Sequence, residues 1–165
     1  MHDELICMIG TDHSLASADV RSAFALPADM REDILALARA KLGATGVVLL
    51  ATCNRTELWA SFDGVDAPVR SVDEHGVPQP DDQMLQTICD MHMVKPDDYA
   101  RYFMCRSGDE AVSHLFNVAC GLRSAIVAED QIVSQVKQAV AYSRDRESTR
   151  LNSSHPTTSR MPSSA

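Results

Sequence analysis

Apolar residues along this chain fall into short runs separated by helical stripes. "LICMIG" (Leu5–Gly10) is a brief run ending at a glycine and predicts a buried strand. Ser17-Ala18-Asp19 offers a capping residue for a short helix toward Phe24. In "LPADMREDILALARAKLG" a proline at the start and Gly43 past the end bracket a helix. Its apolar positions Met30, Ile34, Leu37, Ala38 and Leu42 recur at helical spacing. "GVVLLAT" then predicts a buried strand and "ELWASF" a second one, with Thr52 to Glu57 a polar turn between the two runs. Residues 64–82, rich in Pro and Gly, predict a loop, and "DDQMLQTICDMHM" a helix capped by Asp81 or Asp82. Pro96-Asp97-Asp98 opens a turn of helix before a strand in "RYFMCRSG". "GDEAVSHLFNVACGL" predicts a helix from Asp109 that stops by Gly121. "EDQIVSQVKQAVAYSR" predicts a long final helix with Ile132, Val136, Ala139 and Val140 on one stripe. Strands interleaved with helices in short runs predict an α+β fold, a small sheet packed with helices in a βαβ-type sandwich and ending in a long helix.

Length and composition narrow the function classes. At 165 residues, 45% hydrophobic and 23% charged, the chain is long enough and apolar enough for a folded domain with a real core. No apolar run approaches the length of a membrane helix, and "MHDELICMIG" lacks the basic start of a signal peptide. The odd number of cysteines, with no C-x-x-C pair, speaks against a disulfide framework or zinc ribbon and for a reducing, cytoplasmic setting. The histidines show no metal-ligand spacing. A net charge of −8 gives no general basic footprint for nucleic acid, so any RNA contact is local or made elsewhere.

One junction stands out. A buried strand ends in Thr52-Cys53-Asn54-Arg55, where ordinary turn chemistry would use Gly, Pro, Asn or Asp. A free cysteine is more often buried structure than a nucleophile, but Cys53 has polar company, and Arg55 is a nearby charge that favours a thiolate. Cys7, Cys89, Cys105 and Cys120 lie within apolar patterns and read as structural. His114 falls inside an apolar helical pattern, where a core histidine is the ordinary reading. Glu129, Gln131 and Gln135 read alone as solvated turns of the last helix, and Met84, Met91 and Met93 as core filling.

Two segments taken together change those readings. "TCNRTEL" and "HLFNVACGLRSAIVAEDQIVSQVK" resemble the two motifs of the glutamyl-tRNA reductase family, and the resemblance runs from "MIGTDH" to about Tyr142. Carried over by motif, it implies Cys53 as nucleophile and His114 as a histidine important for activity. It implies substrate contacts at Thr52, Asn54 and Arg55, and a glutamate pocket lined by Ser124, Glu129, Asp130, Gln131 and Gln135. The chain departs from the pattern at three places. Arg123 stands where an acidic residue is usual, Ala128 where a glycine precedes the glutamate, and Asp130 where proline is frequent.

The implied activity is reduction of glutamyl-tRNA(Glu) to glutamate 1-semialdehyde through a cysteine thioester, with hydride from NADPH, at the head of five-carbon tetrapyrrole (porphyrin) synthesis. The resemblance further implies a homodimer in the full-length protein and names glutamate-1-semialdehyde aminomutase as a partner enzyme. No G-x-G-x-x-G opens a helix after a strand here, so the NADPH domain is expected outside this chain. A cysteine-dependent acyl-transfer or thioesterase domain, or a non-catalytic module binding tRNA or a partner, are the competing readings.

The Ser/Thr-rich tail has a different character. "STRLNSSH", three variable residues and "SRMPSSA" resemble the translation of a short-read sequencing adapter. The expected division is therefore a catalytic domain with the start of its long helix over residues 1–144, and a read-through tail without function over residues 145–165.

Overall fold

The computed structural model describes residues 4–26, 30–63, 82–122 and 132–141. Four strands form one sheet: β1 (Glu4–Asp12), β2 (Gly46–Ala51), β3 (Arg55–Asp63) and β4 (Met104–Ser107). The spatial order is β2-β3-β1-β4, with every neighbouring pair antiparallel. β1 and β2 therefore run parallel with β3 between them, and β3 and β4 run parallel with β1 between them. This is a split βαβ arrangement used twice, the ferredoxin-like plan. The α+β expectation holds.

The first crossover carries α1 (Ala18–Ser22) and α2 (Arg31–Leu42), and the second carries α3 (Asp82–Met91), α4 (Pro96–Tyr99) and a 3-10 turn at Ala100–Tyr102. Period-2 alternation on the strands sends Cys7, Ile9, Leu49, Leu58, Ala60, Phe62 and Cys105 toward α2 and α3 in one apolar core. Phe24 is a hub there, with His92, Tyr99 and Phe103 edge-on around it at ring separations of 5.0–5.2 Å. The opposite sheet face meets α5 (Asp109–Ala119), which buries Ala111 against Met8 and Trp59. The last described helix, residues 132–141, brings Ile132 onto Leu50 and Val118, with Val136 and Ala139 beside them.

Helix boundaries follow their chemistry. The Ser17 hydroxyl accepts from the Val20 N–H at 3.4 Å, and Gly43 ends α2 in the left-handed region at φ 61°. Pro96 opens α4, as its fixed φ favours.

Several expected core positions face solvent instead. On α2, Ile34, Ala38 and Leu42 are buried, but Leu37 and, just before the helix, Met30 are each 46% exposed. The sheet takes only the i, i+4, i+8 row, and Leu37 sits on its flank. Met93 is 88% exposed because the chain turns left-handed there, at φ 56°, as it leaves α3. Cys120 is exposed just past the end of α5. Val140 lies one position off the Ile132–Val136–Ala139 row and is 39% exposed. α2 begins at Arg31 rather than beside Pro27, and residues 27–29 lie outside the described residues. Of the expected loop at 64–82, residues 64–81 lie outside them as well, as do the region after Leu122 up to Gln131 and the whole tail, while Asp82 opens α3.

Candidate functional site

β2 and β3 pair as far as Ala51 opposite Thr56, and the Thr52 N–H donates to the Arg55 carbonyl at 2.8 Å. The turn is therefore only Cys53-Asn54, shorter than the six-residue polar turn the sequence suggested. Two-residue hairpin turns usually need positive φ, which matches the twist of the strands. Here the sole described non-glycine residue with positive φ is Met93, so Cys53 and Asn54 form the turn without it.

What holds this less favoured turn is side-chain and loop bonding. Thr52 Oγ1 accepts from the N–H groups of both Asn54 and Arg55 at 3.2 Å. The His13 N–H reaches the Asn54 carbonyl at 3.0 Å, and Arg21 Nε reaches the Cys53 carbonyl at 3.3 Å. Arg21 is itself anchored by Nη1 on the Ala16 carbonyl at 2.6 Å. Cys53 thus stands exposed on a turn tied to the loop after β1. A threonine at position 52 is explained by its two accepted bonds, and a cysteine at position 53 by neither packing nor turn chemistry.

Immediately after the turn, β3 places charged side chains inside the protein. Arg55 is 1% exposed and Glu57 0%. Arg55 Nη1 donates to Glu57 Oε1 at 2.8 Å, and Trp59 Nε1 donates to Glu57 Oε2 at 3.3 Å. His114, 2% exposed on α5, brings Nε2 to the same Glu57 Oε1 at 3.0 Å. Its ring lies near-parallel to Trp59 at 6.1 Å. One carboxylate therefore gathers three nitrogens from β3 and α5.

Asp12 joins this group from the neighbouring strand, directly opposite Arg55 in register and 1% exposed. Burial pushes its carboxyl up, but the Ser14 hydroxyl and N–H on Oδ1, with the Arg55 charge close by, hold it below its ordinary value. Alternating negative, positive and negative groups is what allows ions to persist away from water. Gly10 makes room for Glu57: a Cβ there would lie 2.7 Å from Glu57 Cγ and 2.8 Å from the Thr56 carbonyl oxygen.

His114 is thus a buried histidine, yet one held by an acid rather than packed as a hydrophobe. The Arg55 guanidinium pairs with Glu57 two residues along the same strand. Gln135 is half-buried on the helix at 132–141, one residue from Val136, which packs beside Ile132 and Val118. Ser124, Glu129, Asp130 and Gln131, with Arg123 and Ala128, lie outside the described residues. Asp12, Glu57 and Gly10 were not singled out from the sequence. The available signal for Glu57 was an acid two positions from Arg55 and two from Trp59, on one side of a strand.

Beside α5, Arg106, Asp109, Glu110, Ser113, His114 and Asn117 line a cavity of about 280 Å³. Its charges are mixed. Among the described residues, no group of three or more acidic, His or Cys side chains is placed to hold a metal ion. Nor does any described helix have the length and apolarity to cross a membrane. Dinucleotides bind in the crevice at the carboxyl ends of parallel strands, and the antiparallel neighbours of this sheet build no such crevice.

A family profile described as "Glutamyl-tRNAGlu reductase, N-terminal domain" matches residues 9–158. This chain belongs to that family. The match extends past Arg144 into the Ser/Thr-rich tail. Among curated relatives, a "Glutamyl-tRNA reductase" of Alkaliphilus oremlandii is 32% identical over 140 residues, covering 85% of this chain and 38% of that protein. A "Probable multifunctional siroheme biosynthesis protein HemA" of Ruminiclostridium josui is 34% identical over 137 residues, 81% of this chain and 24% of that one. The solved "Glutamyl-tRNA Reductase from Methanopyrus kandleri" superposes with a TM-score of 0.58 at 28% identity, over 88% of this chain and 29% of that one. The chain thus spans 24–38% of the length of these relatives. The name of the second of these relatives places that protein in siroheme biosynthesis.

Proposed function

We propose that this chain performs the acylation half of glutamyl-tRNA reduction, with Cys53 as nucleophile. The observation that carries the reading is an exposed cysteine on a tied-down turn, two residues from a buried Arg55–Glu57–His114 cluster. The Cys53 thiolate attacks the carbonyl carbon of the ester joining glutamate to the tRNA 3′ end. A C–S bond forms, the ester C–O bond breaks, and the 3′ hydroxyl leaves after taking up a proton. Splitting the reaction at a covalent intermediate lowers each barrier.

Thr52 and Asn54 shape the turn that presents the sulfur. Arg55, whose planar guanidinium matches the geometry of a carboxylate, suits a substrate carboxylate, and His114 suits proton transfer. Ser124, Glu129, Asp130, Gln131 and Gln135 complete the glutamate pocket in this proposal. Reduction of the thioester to glutamate 1-semialdehyde by NADPH is assigned to a part of the family's longer proteins outside this sequence. The homodimer, the aminomutase partner, the cytoplasmic setting and the division near Arg144 belong to the same proposal.

The test is intact-mass analysis after mixing the chain with labelled glutamyl-tRNA(Glu). A glutamyl adduct on the wild type and none on Cys53→Ser is the expected result. An adduct that survives the substitution refutes the assignment. Product analysis with and without NADPH completes the test. Free glutamate independent of NADPH is expected, because a thioester open to solvent meets only water. Semialdehyde from this chain alone would refute the division of labour. Resequencing the gene from genomic DNA tests the boundary at Arg144, and finding the tail there overturns it.

A further inference from the structure

We infer that Glu57 is the positioning residue of this site: one buried carboxylate, seated over Gly10, holds Arg55 and His114 together and fixes which nitrogen of His114 can exchange a proton. Arg55 Nη1 and His114 Nε2 meet the same oxygen, Oε1, at 2.8 and 3.0 Å, while Trp59 Nε1 holds Oε2 at 3.3 Å. An ionised carboxylate only accepts, so Nε2 must carry the proton. The ring nitrogen left over, Nδ1, is buried with no hydrogen-bond partner among the described residues. A buried polar atom without a partner is costly, and where one persists it points to use rather than packing. Nδ1 is the atom that takes and returns the proton.

Gly10 belongs to the same device. A side chain there would press on Glu57 Cγ and on the β3 backbone, shifting the carboxylate from both of its partners. The shared oxygen also links the two functional groups. Any movement of Arg55 toward a substrate carboxylate leaves Oε1 more fully to His114, so anchoring and proton transfer are coupled through one atom.

The inference rests on acylation at Cys53, and its test separates the two ideas. In ¹⁵N-histidine-labelled chain, the ring signals lost in His114→Gln identify His114. In alkaline solution, where imidazole is neutral, the expected wild-type pattern is a protonated Nε2 and a bare Nδ1. Glu57→Gln, whose amide also donates, is expected to mix the tautomers and slow Cys53 acylation roughly ten-fold or more, within what general acid–base assistance contributes. Glu57→Asp is expected to keep the tautomer and recover part of the rate. Wild-type tautomer and wild-type acylation in Glu57→Gln overturn the inference. If that variant does not fold, Glu57→Asp and Gly10→Ala decide it: both keep the charge but move the carboxylate, and an unchanged acylation rate in both overturns it. If the wild type forms no adduct at Cys53, the acylation reading fails, and the tautomer measurement alone decides whether Glu57 positions His114.

Discussion

Thr56, Leu58, Ala60 and Phe62 leave one face of β3, and Arg55, Glu57 and Trp59 leave the other; both sets are buried. Burial does not distinguish the two faces, and chemistry does. The first face lies in the apolar core with α2 and α3, where each side chain contributes by leaving water. The second face carries Arg55 and Glu57 against His114, where desolvation costs more than a hydrophobic contact would and mutual pairing offsets it. A strand built for stability alone has no reason to bear both. The apolar face fixes β3 in place, and the ionic face holds Arg55, Glu57 and His114 together on the same strand's other side.

Breaking the ionic face from one side is expected to have the largest effect. Arg55→Met leaves Glu57 buried beside His114 without its guanidinium, and losing one partner of a buried pair costs about 3–5 kcal/mol. Denaturant unfolding reads this as a lower midpoint. A loss below about 1 kcal/mol, the scale of an exposed pair, would mean that water reaches Glu57.

The apolar face answers differently. Leu58→Ala is expected to cost about 2–5 kcal/mol through lost burial and the cavity left behind. Its effect on function is the opposite of Arg55→Met: while the protein stays folded, Cys53 should be alkylated and acylated at the wild-type rate. A changed rate would show that the faces are not separable.

Arg55→Lys sharpens the comparison because it keeps the charge. An ammonium on a flexible stem cannot reproduce the planar fork that pairs with Glu57 and, in the proposed reaction, with a substrate carboxylate. Stability should fall less than in Arg55→Met, while single-turnover acylation should lose roughly 2 kcal/mol of transition-state stabilisation, the scale of a hydrogen bond to a charged group. An unchanged acylation rate removes Arg55 as the carboxylate anchor.

The two faces were unequally legible in the sequence. Apolar runs and their alternation placed all four strands, and Gly43 and Pro96 marked helix ends, because burial and backbone preference act locally. The ionic face was only half visible. Arg55 read as part of a polar turn, whereas β3 begins at that residue, and Glu57 read as the first residue of a strand rather than its charged centre. The bond between Glu57 and His114 spans 57 positions, a pairing that no local pattern encodes. The resemblance pointed to Cys53 and His114 as residues, but which acid holds the imidazole emerges only when α5 packs on the sheet. Cys120 shows the same limit from the other side: its apolar neighbours suggested burial, and the end of α5 exposes it.

Cysteine labelling compares the tied turn with the apolar core directly. Cys89 is fully buried, and burial, with Asp90 next to it, pushes its thiol up to about 11. Cys7 and Cys105 are buried as well, whereas Cys53 and Cys120 are exposed. Alkylation of the folded chain is therefore expected at Cys53 and Cys120, with Cys89 protected until unfolding. Peptide mapping checks this, and a nucleophile at Cys53 requires it to react faster than Cys120. Equal rates would leave Cys53 merely exposed.

The smallest expected effect is a pH dependence that belongs to the apolar core rather than the site. His92 packs edge-on against Phe24, and its Nδ1 pairs with the Ile88 carbonyl at 2.8 Å, which makes Nδ1 the donor. Burial pushes the imidazole below its ordinary value of 6.5, even though the carbonyls of Ile88 and Phe24 favour the charged form. A second proton would sit on Nε2, which is buried without a hydrogen-bond partner among the described residues. Between the lowered folded-state value and 6.5 the unfolded chain binds more protons than the folded one, so stability falls as pH falls through that window. Asp12, also held below its ordinary value, adds a loss of the same sign further into acid, below about 3.8. Urea midpoints measured across the His92 window should decline on acidification, and His92→Phe should flatten that decline whatever it does to absolute stability. A slope that persists in His92→Phe would assign the titration to another group.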